Sequence, residues 1–374
     1  MYSKRGKSIT GGFGASIALV AVLALFAGAC SSSESKNDSD GSTTTTAATA
    51  GEAPSDASIK ALTASVSGGG ASFPDSFYQA ANTDFNGVAG TERVTYAKSG
   101  SSDGRSQLSA GTVDFAGSDS LPKDGEVFPS TVLFFPTVAA PITVAFNLEG
   151  VKELQLSADV IAGIFQAQIT KWNDSKIAAD NPDAKLPDTA ITVVHRSDGS
   201  GTTNNFTKYL TSASPLVWTL GSGDEVNWPA STQGAEKNSG VAELIKQTAG
   251  AVGYVDLADA GKAGLSLAAI QNTAGNYIAP SVAGVQAALE DATIEPNLTY
   301  NPLNGSGEKD YPITAPTFLL VLETQTDAAK ATTIKTYLQY VLTTAQAQAA
   351  KTGYVALPSS LAQKAIAQID MIKG

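Results

Sequence analysis

Ile191–Phe206 reads ITVVHRSDGSGTTNNF. The four apolar residues Ile191–Val194 have the composition of a buried strand, and NNFTKYL after them has the composition of a helix. Between them lie Gly199, Ser200, Gly201 and Thr202, small residues that let a strand turn directly into a helix. A helix start exposes backbone N–H groups and the positive end of the helix dipole, and such a place attracts an anion. Arg196 stands beside it, and so does the carboxylate of Asp198. The stretch therefore poses a question of charge: which anion binds next to an acid?

Strand–turn–helix alternation extends along the chain. Strands are expected at Val94–Ala97, Val113–Ala116, Thr143–Phe146, Ile191–Val194, Val252–Val255 and Phe318–Leu322. Helical spacing is clear for Val160, Ile161, Ile164 and Phe165 after Ser157, and for Val241, Leu244 and Ile245 before Gly250. It recurs in a long helix from about Thr326 to Lys351 and in a final helix after Ser359. Alternation of this kind predicts α/β layers. Pro136 and Pro141 interrupt VLFFPTVAAPITVAF, which reads as a chain crossing between lobes rather than a central strand.

Two further segments repeat the motif of small hydroxyl residues and glycines at a helix start. One is Gly68–Phe73, GGGASF, followed by Pro74 and an apolar face of Phe77, Tyr78, Ala81 and Phe85. The other is Gly100–Gly104, GSSDG, after the Val94–Ala97 strand. Any one of these is ordinarily just an N-cap; three in one chain, one with an adjacent Arg, point to a shared anion site. Two acids accompany them, Asp119 and Asp198. A fully ionised anion such as sulfate is repelled by a carboxylate. Phosphate still carries a proton near neutral pH, its second ionisation lying at a pKa of about 6 in esters, and can donate that proton to the acid. One Asp then serves as the proton acceptor while the other orients Arg196. The plain alternative is that both acids are turn or capping residues.

The 374-residue chain is 43% hydrophobic and 16% charged, with a formal net charge of −11. That balance argues against a general nucleic-acid role and confines anion binding to a local site. Lys4, Arg5 and Lys7 precede the apolar run Ile17–Ala29, IALVAVLALFAGA, too short for a membrane span and suited to a secretory signal over residues 1–29. It ends at Cys30, the only cysteine, after Ala27-Gly28-Ala29, a placement similar to a bacterial lipidation site; Cys30 is the expected lipid-bearing residue. Cleavage there removes three positive charges and no acid, taking the charge from −11 to −14. Ser31–Ile59 is rich in Ser, Thr and Asp, so residues 30–60 are expected to be a disordered tether and the folded part to begin near Ala61.

Other chemistries fare poorly. GSSDG fits the G-x-S-x-G nucleophile elbow, with Ser102 as nucleophile and His195 as base. Yet His195 continues an apolar strand directly, and no HGGG-type oxyanion motif is present. There is no G-x-x-x-x-G-K-[ST] loop. One His and one Cys do not make a zinc site, and no cofactor is implied.

The order of several segments resembles the PstS family, the substrate-binding lipoproteins of bacterial phosphate ABC transporters. They are GGGASFP (Gly68–Pro74), YAKSGSSDGRSQLSAGTVDFAGSDSLP (Tyr96–Pro122), FPTVAAPITVAFNL (Phe135–Leu148) and IFQAQITKWND (Ile164–Asp174). VVHRSDGSGTTNNF (Val193–Phe206), QGAEKNSGV (Gln233–Val241), GAVGYVDLA (Gly250–Ala258) and YPITAPTFLLV (Tyr311–Val321) follow. The resemblance implies an α/β, two-lobed periplasmic-binding-protein fold of type II with the ligand in the interlobe cleft. Lobe one would comprise 61–138 plus 314–374, and lobe two 139–313. It implies phosphate contacts from the Ser72 hydroxyl, the Phe73 amide, Ser101, Asp119 as proton acceptor, Arg196 as the direct charge partner, and Ser200, Gly201 and Thr202. Asp198 matches the acid that pairs with the Arg. Asp103 departs from the family's usual small residue and is expected to add an acid to the cleft; His195 replaces a residue that is often basic and is given no role. The partners implied are inorganic phosphate, the permease subunits of an ABC transporter and, through the lipid, the outer face of the membrane. The protein would be a monomer without catalysis. The alternatives are a receptor for another oxyanion and a secreted phosphatase or esterase using Ser102.

Overall fold

The computed structural model describes residues 51–290 and 292–374. The expected signal segment, Cys30 and most of the expected tether lie outside the described residues. A helix begins a few residues before Ala61, the expected start of the fold. Helix α1 (Asp56–Lys60) starts where the Ser58 N–H donates to Ser55 Oγ, and it buries Ile59. In a Ser/Ala-rich stretch that single apolar side chain is the anchor.

From there strands and helices alternate: β1 (Val66–Gly70), α2 (Asp75–Ala89), β2 (Val94–Lys98), α3 (Ser101–Ser109), β3 (Phe115–Ser118) and β4 (Val132–Phe146). The chain continues with β5 (Gln155–Leu156), α4 (Ala158–Phe165), α5 (Ser175–Asp180), β6 (Thr192–Arg196), α6 (Gly201–Ala213), β7 (Gln233–Ala235) and α7 (Lys237–Gln247). Then come β8 (Ala251–Asp256), α8 (Leu257–Ala263), β9 (Ser266–Leu267), β10 (Ala269–Gln271), β11 (Tyr277–Ile278) and α9 (Val282–Glu290). It closes with β12 (Thr314–Leu322), α10 (Ala328–Leu342), β13 (Val355–Ala356) and α11 (Ser359–Gln368).

The main sheet runs β2-β1-β3-β12-β4-β8-β6-β7. β1 is parallel to β2 and β3, and β6 is parallel to β7 and β8, because a helix crosses over between each pair. The sheet changes hands within β4. Val132–Pro141 pairs antiparallel with β12, whereas Ile142–Phe146 pairs with β8. One lobe thus gathers around β1–β3 with α2, α3 and α10, and the other around β6–β8 with α6 and α7. The chain crosses once through β4 and again at Ile313–Thr314, where the Ile142 N–H donates to the Ile313 carbonyl and the Tyr311 hydroxyl to the Ile142 carbonyl.

The prolines of β4 therefore mark a crossing, as read, but the segment is also one central strand of 15 residues, contrary to the sequence reading. Its tolerance of proline has a local cause. Pro136 sits opposite Phe318 where the β12 register slips between Thr317 and Phe318, and Pro141 sits at the change of partner. Burial on both faces from Phe135 to Phe146 explains the unbroken apolar composition. Two other boundaries move. The strand expected at Val113–Ala116 lies at Phe115–Ser118. The helix expected to reach Lys351 ends at Leu342, where Thr343 leaves helical geometry at φ −122°, ψ −86°, and continues as short 3₁₀ turns.

Packing at the crossing is aromatic. Phe73 and Phe77 lie 6.1 and 6.2 Å from Tyr354, ring centre to ring centre. Tyr78 meets Tyr96 edge-on at 4.9 Å, and its hydroxyl pairs with Thr137 of β4 at 2.9 Å. These side chains are fully buried or nearly so and fix the start of α2 against the hinge strands.

Candidate anion-binding site

Four helices begin at the seam between the lobes. α2 and α3 belong to the β1–β3 lobe, α6 and α7 to the other. Three of these starts are those read from sequence; α7 was not. Pro74 stands one position earlier than expected, at the N-cap of α2 rather than inside it.

The β1–β3 lobe contributes Ser72, Phe73, Ser101 and Asp119, all buried. The Ser72 hydroxyl oxygen accepts the Asn238 N–H from across the seam at 3.2 Å, leaving its proton to donate. The Phe73 carbonyl accepts the Tyr354 hydroxyl at 2.5 Å, while its N–H meets no acceptor among the described residues. The Ser101 hydroxyl oxygen accepts the Asp119 N–H at 3.3 Å and likewise retains its proton. Gly104 lets α3 sit directly on β1: a Cβ there would lie 2.5 Å from the Gly70 Cα.

The other lobe contributes Arg196 from the end of β6 and the first turn of α6. Arg196 donates Nε to Asp198 Oδ1 at 2.7 Å, Nη2 to Asp198 Oδ2 at 2.6 Å and Nη1 to Asn238 Oδ1 at 3.0 Å. A guanidinium has five N–H groups, so two remain. Ser200 caps α6 by accepting the Thr203 N–H at 3.1 Å. The N–H groups of Gly201 and Thr202 have no protein acceptor among the described residues, as expected at a helix start. The Thr202 hydroxyl oxygen accepts Asn238 Nδ2 at 3.2 Å.

Contacts join the two sets. Asn238, wholly buried, touches Ser72, Arg196 and Thr202 at once. Gly201 lies against Ser101 and Asp119, where an added Cβ would meet Ser101 Oγ at 2.6 Å and Asp119 Cβ at 2.7 Å. Asn205 Nδ2 donates to the Asp119 carbonyl at 2.6 Å. The structure thus brings Ser72, Phe73, Ser101, Asp119, Arg196, Ser200, Gly201 and Thr202 to one seam.

Of the eight residues, Asp119 is the one carboxylate; the other available groups are hydroxyls, amides and the guanidinium. Asp119 Oδ1 accepts the Thr317 hydroxyl at 2.7 Å, and no donor among the described residues reaches Oδ2. Burial raises Asp119 to about 7, against the opposing pull of Thr317 and Arg196; the Asp224 charge adds to the rise. Asp198 behaves oppositely. Burial alone would raise it, but the bonds and charge of Arg196, with help from Lys237, hold it down to about 2. The two acids read from sequence thus lie in opposite electrostatic settings, Asp198 held down by Arg196 and Asp119 raised by burial.

Asp103 departs from the sequence expectation. It is exposed on α3 and adds no acid to the buried seam; the additional acid there is Asp224, 1% exposed. Ser102 and His195 each engage other partners. Ser102 Oγ donates to Asp224 Oδ2 at 2.7 Å. The His195 ring stacks on Trp228 with centres 4.9 Å apart, and its Nδ1 lies 2.9 Å from the Arg196 carbonyl. Sequence reading missed Asn238, Asp224 and Lys237. Lys237 carries a signal only the backbone reveals, a left-handed φ of 62° on a non-glycine residue. Its Nζ reaches Asp198 at 3.2 Å and the Ser99 carbonyl of the opposite lobe at 3.0 Å.

Two lobes joined by crossing strands, with a donor-lined seam between them, define a type II solute-binding protein, and residues 40–345 match the PBP superfamily domain. The chain is 36% identical over 305 residues to the phosphate-binding protein PstS of Xylella fastidiosa, covering 80% of this chain and 83% of that one. It is 35% identical to the PstS of Pasteurella multocida, covering 81% and 89%. The phosphate-binding protein from Stenotrophomonas maltophilia shares the fold with a TM-score of 0.66 at 22% identity, covering 82% and 94%. The chain belongs to the PstS family of phosphate-binding proteins.

Proposed function

We propose that this protein captures inorganic phosphate outside the cytoplasm and delivers it to a membrane permease of the ABC type, without catalysis. One observation carries the reading: a buried site rich in donors contains one carboxylate oxygen, Asp119 Oδ2, that no donor among the described residues reaches. Such a site suits an oxyanion that still owns a proton. Phosphate donates that proton to Asp119 and accepts from the Ser72, Ser101, Ser200 and Thr202 hydroxyls, from the Phe73, Gly201 and Thr202 amides, and from the two remaining N–H groups of Arg196. Sulfate has no proton to give and leaves one oxygen against a carboxylate.

The lobes, 61–138 plus 314–374 and 139–313, open and close about the crossing strands. Cys30 carries a lipid that holds the mature, monomeric protein at the outer face of the membrane, and residues up to about 55 act as the tether. These assignments rest on the sequence pattern.

The test is calorimetry on phosphate-stripped protein, titrated with phosphate and then sulfate from pH 5 to 8, a range of roughly one unit or more on either side of the phosphate ionisation. One-to-one phosphate binding throughout, with no sulfate heat at the alkaline end, is the expected result. Preferred binding of sulfate would move Asp119 out of the site, and binding of neither would return attention to Ser102 and an ester assay.

A further inference from the structure

Arg105 is a fully buried guanidinium that bonds none of the eight residues above. Four of its N–H groups bond within the β1–β3 lobe: Nε and Nη2 to the Glu126 carboxylate at 2.8 and 3.0 Å, and Nη1 to Ser118 Oγ and Ser120 Oγ at 3.0 and 2.8 Å. The fifth, on Nη2, crosses the seam to Asp224 Oδ2 at 2.6 Å, and neither side chain is exposed. Asp224 lies in the loop between α6 and β7. Its Oδ2 also accepts the Ser102 hydroxyl of the opposite lobe, and its Oδ1 accepts Asn204 Nδ2 of α6 at 3.0 Å. Its carbonyl accepts the N–H of Ser200, the cap of α6, at 3.0 Å.

Asp224 therefore grips both anion-facing helix starts, α6 through Ser200 and Asn204, and α3 through Ser102 and Arg105. We propose that Asp224 is a positioning residue that latches the two lobes shut over bound phosphate, with Arg105 as its partner. The inference rests on the phosphate reading. It has a physical asymmetry at its centre. With the lobes apart, Arg105 keeps four of its five bonds and Asp224 keeps Asn204, so each half is held ready. Closure adds the ion pair in a place shielded from water, where a charged hydrogen bond is strong. A contact made only on closure acts on release, not on capture.

The experiment compares wild type with Asp224→Asn by rapid-mixing kinetics with radiolabelled phosphate, and by calorimetric melting with and without phosphate. Wild type is titrated first. Absence of phosphate binding there sinks the phosphate reading; normal wild-type binding with an unaltered variant sinks only the latch. Asp224→Asn should release phosphate at least about tenfold faster with association within about twofold of wild type. Its phosphate-free melting temperature should match wild type, while the phosphate-induced rise should shrink. Unchanged release, or a phosphate-free melting temperature that falls as far as the loaded one, overturns the latch, since the pair would then belong to the folding of the protein and not to closure. Should Asp224→Asn fail to fold, Ser102→Ala carries the test by removing one neutral donor to Asp224. Release about two- to tenfold faster is expected, and wild-type release would refute the proposal.

Discussion

Replacing Asp119 by Asn keeps the size of the side chain and exchanges its one free acceptor for a donor or a neutral oxygen. Two effects of opposite sign follow. A proton-bearing phosphate loses a hydrogen bond to a charged acceptor, worth about 1.5–3 kcal/mol, so its affinity should fall roughly 10- to 150-fold. A sulfate gains relief from an unscreened carboxylate. Two unit charges about 4 Å apart interact by about 4 kcal/mol at an effective dielectric of about 20, close to a thousandfold in affinity. Preference for phosphate over sulfate should therefore shrink by several orders of magnitude, and the loss is still about a hundredfold if each energy is overestimated twofold. The wild-type protein makes the same point through pH. Because Asp119 titrates near 7, acidifying from pH 8 to 5 protonates it, and weak sulfate binding should emerge at the acid end. Competitive displacement of labelled phosphate measures both ions on one scale. An Asn variant that excludes sulfate as well as wild type does would refute the proton test.

Other outcomes follow from the same contacts. Gly201→Ala should fold normally but lose most phosphate affinity, because its Cβ would strike Ser101 and Asp119 of the opposite lobe at under 3 Å; small-angle scattering should find it open in saturating phosphate. Arg196→Lys should bind at least about tenfold more weakly despite retaining its charge, since one ammonium cannot serve Asp198, Asn238 and the anion together. Asn238→Ala should cost about 1–2 kcal/mol of binding by releasing Arg196 and Thr202, read by calorimetry. Phe85→Ala removes a buried ring that meets Tyr337 at 5.4 Å and Tyr340 at 5.3 Å and should destabilise by about 3–5 kcal/mol. For Asp119, burial raises the folded pKa above the unfolded value, so its stabilising share is present below about pH 4 and lost as pH rises through about 7. Phosphate-free Asp119→Asn should accordingly show a shallower loss of melting temperature across that window.

Legibility in the sequence followed the range of the interactions. Helix starts are local, so GGGASF, GSSDG and GSGT stood out and lie where anion-facing amides are needed. Strand composition also survived, although Phe115–Ser118 slid by two residues because its Gly-Ser end lacks an apolar marker. Asn238 was invisible for the opposite reason: it meets Ser72 166 positions away, and nothing in its neighbours announces that meeting. Asp224 sits in a Gly/Ser loop that reads as a linker, yet it bonds Arg105 across 119 positions. Asp103, only two residues from Arg105, looked more prominent and turned outward. Periodicity carried α10 too far because Ala345 and Ala349 remain buried beyond the helix end, so the apolar pattern persists after the backbone has changed.

The bidentate pairing of Arg196 with Asp198 has a consequence for the surroundings in which the protein works. The guanidinium is already paired with a carboxylate before any ligand arrives, and the chain as a whole carries a formal net charge of −11. Long-range attraction is therefore absent; the protein as a whole repels what its cleft retains. Retention comes from hydroxyls, amides and helix ends that act over a few ångströms, inside the reach at which dissolved salt screens. Dilute and saline media should thus leave the release rate nearly equal, and added salt should hasten the encounter by damping the repulsion that precedes it.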